Sequence, residues 1–302
     1  MENKKKIEIV LGFACNNNCK FCSVGRRNTN RTTNDIKKEI SRAIKEDPYE
    51  LNFTGGEPTI RKDIFELVKY AKSKIDKIRV TTNGRMFYYK DFTKKIVKCG
   101  LTGAIFSIHG DKPEIHDYLS SVNGAFEQAI KGIENLSEYS SDISINTVIT
   151  TKNYKSLPNM VNFLINKFNI GSFCFIYPEI DGTILFHKEL IVEYEKVSPI
   201  IEKLIDITKK NNIPAWVMNI PACFLTPKIR NLAFMKLRTK MYWPDMDTDL
   251  DSKKAEDRIK MKDCEKCKFY NICKGIPKKY IKIKNLKKIK PIIGEKLTES
   301  PY

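Results

Sequence analysis

The 302-residue sequence has no run of eighteen or more apolar residues, so nothing in it reads as a membrane-spanning helix. The stub Met1–Lys6 is charged and leads straight into an apolar run, without the apolar core or cleavage site of a secretory signal. Internal repeats and low-complexity segments are absent, and histidine is scarce, with three residues. Apolar content of 41% over this length excludes disorder on a large scale. The expectation is a soluble cytoplasmic protein.

Cysteine is not scarce. Nine are present, and without an export signal, disulfides are the poorer explanation for them. Seven fall into two groups with metal-ligand spacing. The net charge of +18 comes mostly from lysines scattered through helical segments, which points to solvated faces more than to a nucleic-acid footprint.

Short β-rich runs at Ile7–Leu11, Leu51–Phe53, Ile78–Thr82, Ala104–Ile108, Ile143–Ile149 and Phe173–Tyr177 alternate with amphipathic helical stretches. Among these stretches are Asp35–Lys45, Asp63–Ser73, Phe126–Leu136, Leu157–Phe168 and Lys188–Lys210. Such alternation requires parallel strands with right-handed crossovers, and it places functional loops at the strand C-termini. The fold expected is α/β, a partial (β/α)6 TIM-type barrel with a small C-terminal cysteine-rich extension. The rhythm breaks near Pro214, so a boundary is set at residue 212, with a barrel over 1–212 and an extension over 213–302. The extension contains an acidic loop (Asp245, Asp247, Asp249, Asp251), a cysteine cluster and a basic tail.

Cys15, Cys19 and Cys22 form C-x3-C-x2-C directly after the first expected strand. Three thiolates on one loop suit three irons of a cubane and leave the fourth open to a ligand, whereas electron-transfer clusters normally use four cysteines. Zinc would call for a fourth ligand or a histidine nearby, and none lies near this loop in sequence.

This loop, with Phe21 before its last cysteine, resembles the defining motif of the radical S-adenosylmethionine superfamily. Further segments are similar to that family in order: Thr54-Gly55-Gly56-Glu57-Pro58 after the second strand, Thr82-Asn83-Gly84 after the third, Ser107-Ile108-His109-Gly110 after the fourth, and Asn146 on the fifth. The resemblance implies that Cys15, Cys19 and Cys22 hold a [4Fe-4S] cluster that binds and reductively cleaves S-adenosylmethionine, releasing methionine and a 5′-deoxyadenosyl radical. It also implies cofactor contacts from Phe21, Gly55, Gly56, Glu57, Asn83, Ser107 and Asn146, and a reductant such as flavodoxin or ferredoxin. His109 and Cys174 are candidates for proton or hydrogen-atom transfer. For Cys174 the alternative is core packing, and for His109 a simple hydrogen bond at the cofactor site.

Cys264, Cys267 and Cys273 give C-x2-C-x5-C, with Cys223 upstream, a set suited to a second [4Fe-4S] group or to structural zinc. The run resembles the SPASM and twitch extensions of peptide-modifying radical enzymes. It departs from the full SPASM pattern at Pro277, where a further cysteine is expected, so one auxiliary cluster at most is supported. Relatives of that type often have arginine at the position of Tyr118. The segment Lys278–Lys296, with eight lysines and one acid, reads as a solvated element or as an anion-binding clamp. Peptide maturation is the leading expectation. A radical enzyme for a nucleotide, tRNA or small metabolite, and a non-catalytic electron carrier, are the alternatives.

Overall fold

The computed structural model describes residues 5–24, 31–234, 239–243 and 257–299. The acidic loop (Asp245, Asp247, Asp249, Asp251) and most of the N-terminal stub lie outside them.

The described chain runs β1 (Lys6–Val10), α1 (Thr33–Ile44), β2 (Glu50–Thr54), α2 (Ile64–Lys72), β3 (Ile78–Thr82), α3 (Lys90–Lys98), β4 (Gly103–Ser107), α4 (Pro113–Ser120), α5 (Ala125–Ser137), β5 (Asp142–Val148), α6 (Leu157–Lys167), β6 (Ser172–Ile176), α7 (Tyr194–Lys210), β7 (Ala215–Met218) and β8 (Thr239–Tyr242). The sheet order is β7-β6-β5-β4-β3-β2-β1-β8, with every pair parallel. The expected partial barrel is therefore present, with eight strands where the sequence showed six. β7 and β8 come from beyond residue 212, so the sheet itself does not end there. Both are four residues long and partly exposed, and so lack the apolar run that marks a central strand.

Period-two alternation sorts the strand side chains. Ile7, Ile9, Leu51, Phe53, Ala104, Phe106, Phe173 and Phe175 are fully buried, in one core with the helical residues Ile36, Ile40, Leu67 and Val68. The opposite face is polar: Lys6 and Glu8 on β1, Asn52 on β2, Arg79 on β3, Ser144 on β5 and Ser172 on β6. Cys174 on β6 shares this face and interacts electrostatically with Lys6 and Glu8 of β1, although four strands separate β6 from β1. The sheet thus curls into a half-barrel with a polar concave interior. Near the strand N-termini Arg79 donates to Ser144 Oγ (2.7 Å) and pairs with Glu50 and Asp142.

Beyond the sheet, β9 (Arg258–Ile259) pairs antiparallel with β10 (Ile276–Pro277), followed by α8 (Lys278–Lys284). The basic tail is not a free arm. Tyr280 of α8 is buried, Lys279 and Lys284 pair with Asp181 and Glu193, and Lys268 N donates to Ile292 O (2.7 Å).

Candidate active site at the strand C-termini

The cysteine loop is clamped by the loops that follow three other strands. After β3, Arg85 donates through Nη1 to Asn16 O (2.5 Å) and Asn17 Oδ1 (3.0 Å), while Asn83 Nδ2 donates to Asn16 Oδ1 (2.6 Å). After β4, the end of α4 accepts two backbone bonds, Asn18 N to Ser120 O and Lys20 N to Leu119 O, both 3.0 Å. After β6, Thr183 Oγ1 donates to Cys19 O (2.9 Å) and Thr183 N to Cys22 O (2.9 Å). A Cβ on the neighbouring Gly182 would meet Cys22 O at 2.2 Å, and its φ of +66° favours glycine. Arg85, Asn16 and Thr183 were not singled out in the sequence. The only signals were their positions beside Gly84, inside the cysteine loop and beside Gly182.

Gly55 and Gly56 are needed for close approach. Gly56 N donates to Gly12 O and Glu57 N to Ala14 O, each at 2.8 Å, which binds the end of β2 to the segment preceding Cys15. Glu57 is 2% exposed, and its carboxylate is fully engaged by the protein: Oε1 accepts from Thr59 N (3.1 Å), Thr59 Oγ1 (2.5 Å) and Thr82 Oγ1 (2.8 Å), and Oε2 from Asn83 N (2.6 Å). Burial pushes its pKa up, against the pull of these donors. Glu57 therefore locks the β2 and β3 loops together, and a cofactor contact from this segment would fall to its main chain. Ser107 and Asn146 are different. They are register partners at the ends of β4 and β5, partly exposed, and their side chains make no hydrogen bond among the described residues.

Phe21 is buried edge-on against His109, ring centroids 4.7 Å apart. His109 Nδ1 accepts from Val148 N (3.2 Å), which leaves the proton of the neutral ring on Nε2. His116 Nδ1 accepts from His109 N (3.2 Å). Burial, then the neighbouring His116, hold His109 well below the ordinary histidine range, and burial brings His116 down to about 4. Both rings are neutral at pH 7. The unfolded chain takes up these protons first, so stability is lost as pH falls below the unfolded value of 6.5. By pH 5.5 His116 alone is expected to cost about 1 kcal/mol. Denaturant unfolding at pH 7.5 and 5.5 checks this; the difference should shrink in His116→Asn, and an equal difference in both proteins would refute it.

Among the described residues no three Cys, His, Asp or Glu side chains lie close enough to hold a single metal ion. Yet the thiols of each group sense one another. Burial pushes Cys19 up to about 12, with Cys15 and Cys22 adding to the rise. Burial likewise pushes Cys223 up to about 12, followed by Cys273, Cys264 and Cys267, so the quartet converges from two segments. Thiols within each other's field fit a polynuclear group, whose ligation would displace their protons. Cys99 lies on the core side, at the end of α3.

The sequence model of the Radical SAM superfamily matches residues 9–164, just over half of the chain. The chain belongs to the radical SAM superfamily. It is an enzyme of the S-adenosylmethionine-dependent radical class, and the family implies a [4Fe-4S] cluster and S-adenosylmethionine as cofactors. A probable GTP 3′,8-cyclase of Saccharolobus solfataricus is 30% identical over 83% of this chain and 87% of its own length. One from Thermococcus kodakarensis is 33% identical over 52% of each, so against that relative the radical SAM chain spans about half the length. Among solved structures, Streptococcus suis SuiB bound to S-adenosylmethionine superposes with a TM-score of 0.68 at 17% identity, over 92% of this chain and 74% of SuiB. SuiB is also solved with its precursor peptide SuiA, and that form gives a TM-score of 0.59 at 18% identity, over 72% of this chain and 49% of SuiB. These likenesses support the partial-barrel fold.

Proposed function

We propose that this radical SAM enzyme oxidises or cross-links a peptide side chain, with the catalytic cluster on Cys15, Cys19 and Cys22 and a second [4Fe-4S] group on Cys223, Cys264, Cys267 and Cys273. The observation that carries this reading is the convergence of Cys223 with the three later cysteines. Four thiolates close every iron of a cubane, so the second group serves electron transfer and not substrate ligation. The likeness to SuiB adds support for a peptide. The functional division follows the cysteines, with the extension beginning near residue 213.

When bound, the first cluster supplies the electron that cleaves S-adenosylmethionine to methionine and the 5′-deoxyadenosyl radical. The chain's own contribution is positioning. Arg85, Asn83 and Thr183 fix the cysteine loop, Ser107 and Asn146 offer unengaged polar groups to the cofactor, and Phe21 packed on His109 closes one side. Neutral His109 offers an Nε2 proton, and Cys174, which burial pushes up to about 12, keeps its S–H on the concave face. A reductant such as flavodoxin or ferredoxin, in a cytoplasmic setting, supplies the electron to the first cluster.

A nucleotide substrate is the second reading, favoured by the 30% identity to the Saccharolobus protein along most of both chains. Mass measurement after co-expression with a short peptide encoded beside the enzyme decides between them. A loss of two hydrogens from the peptide is the expected result. An unchanged peptide, with GTP converted instead, would overturn it.

A further inference from the structure

Tyr194 opens α7 and is fully buried, yet its hydroxyl has no hydrogen-bond partner among the described residues. The ring is fixed by Tyr280, Tyr177 and Phe224, with centroids 4.1, 4.3 and 4.8 Å away. The neighbouring hydroxyls are engaged: Tyr177 OH donates to Val192 O (2.6 Å), and Tyr280 OH accepts from Tyr194 N (3.1 Å). A buried hydroxyl left unpaired bears its full desolvation penalty, so a rigidly held one points to an acceptor that the polypeptide does not itself supply.

Two groups act on this hydroxyl from the extension. Phe224, packed on the Tyr194 ring, follows Cys223 in the chain, and the hydroxyl interacts electrostatically with the Cys223 thiol and the Arg258 guanidinium. A guanidinium only donates hydrogen bonds, so it cannot accept the phenolic proton. Sulfur on the Cys223 side can. Arg258 also donates to Gly275 O (3.1 Å), just past Cys273, which ties the cation to the same quartet.

We infer that Tyr194 donates its O–H to a sulfur of the group held by Cys223, Cys264, Cys267 and Cys273, and thereby raises that group's reduction potential. This rests on the quartet holding an iron–sulfur cluster. Reduction adds negative charge to the sulfurs, and a hydrogen-bond donor stabilises the more negative state. A higher potential makes the cluster a better acceptor for the electron left on an oxidised substrate.

The test is Tyr194→Phe, which keeps the ring and removes only the hydroxyl, made in the full chain with Cys15, Cys19 and Cys22 replaced by Ala so that only the second cluster contributes an EPR signal. Redox titration followed by EPR should give a more negative midpoint than in the Tyr194 parent, with iron and sulfide held at about four per chain. Tyr177→Phe in the same background, which loses a hydroxyl bonded elsewhere, should leave the midpoint in place. An unchanged midpoint in Tyr194→Phe at full iron content overturns the inference, as do equal shifts in both variants, which would reflect general repacking. Zinc in place of iron in the parent overturns the cluster reading and this inference with it.

Discussion

Replacing Cys15, Cys19 and Cys22 together by Ala is expected to abolish 5′-deoxyadenosine formation by the dithionite-reduced enzyme, while the protein stays folded and keeps about four of eight irons. The two halves of this result have separate physical causes. Apart from one bond that Asn17 N donates to Cys15 Sγ (3.4 Å), the loop is held without its thiols, by Arg85 on Asn16 and Asn17, by Thr183 on Cys19 and Cys22 carbonyls, and by the end of α4. All of these contacts use main chain or the side chains of other residues. Cys15 is exposed and Cys22 partly buried, and only the Cys19 sulfur packs on the core, so removing three sulfurs takes little from it. What is lost is the covalent attachment of the group that supplies the electron. Product assay by chromatography, iron analysis and a melting curve read the three components separately. Deoxyadenosine persisting at the parental level would sink the assignment of these cysteines.

Gly56→Ala is expected to do comparable damage without touching a sulfur. A Cβ at this position would meet Ala14 O at 2.3 Å and Phe13 O at 2.6 Å, backbone atoms that cannot swing aside. Accommodating it separates the β2 loop from the strand that leads into Cys15, breaking the bonds from Gly56 N to Gly12 O and from Glu57 N to Ala14 O. Glu57 would move with them and release its hold on Thr82 and Asn83, and Asn83 in turn holds Asn16. A loss of about 3 kcal/mol in stability is expected, in the range of overpacked and network-breaking substitutions. Iron bound at the first site should fall with it. Denaturant unfolding and iron content measure both, and a variant with parental values of each would show that the close approach is dispensable.

The alternating strands and helices were legible because burial on one face of each strand leaves an apolar signature of fixed period, and the turns after β2, β3 and β4 were legible because they carry glycine. Glu57 was legible as a site residue, but its role was not. From the sequence it belongs to a cofactor-binding segment, whereas its carboxylate accepts four hydrogen bonds from Thr59, Thr82 and Asn83. Arg85 and Thr183 carry no sequence signal beyond the glycines beside them, because Thr183 and one arm of Arg85 bond main-chain carbonyls, which any residue can present. β7 and β8 escaped for a related reason. As short strands at the edges of the sheet they are partly exposed and need no apolar run.

By itself the sequence determined the radical SAM chemistry, since three cysteines at fixed spacing followed by ordered glycine-rich strand ends specify ligands and backbone conformations locally. Only the tertiary structure decided what surrounds them. It brought Cys223 to Cys264, Cys267 and Cys273, curled β6 toward β1 so that Cys174 faces the polar interior with Lys6 and Glu8, and left the Tyr194 hydroxyl buried without a partner. Those relations join residues tens to more than a hundred and sixty positions apart. Nothing in local propensity encodes such distances; they follow from how the helices pack and how far the sheet curls.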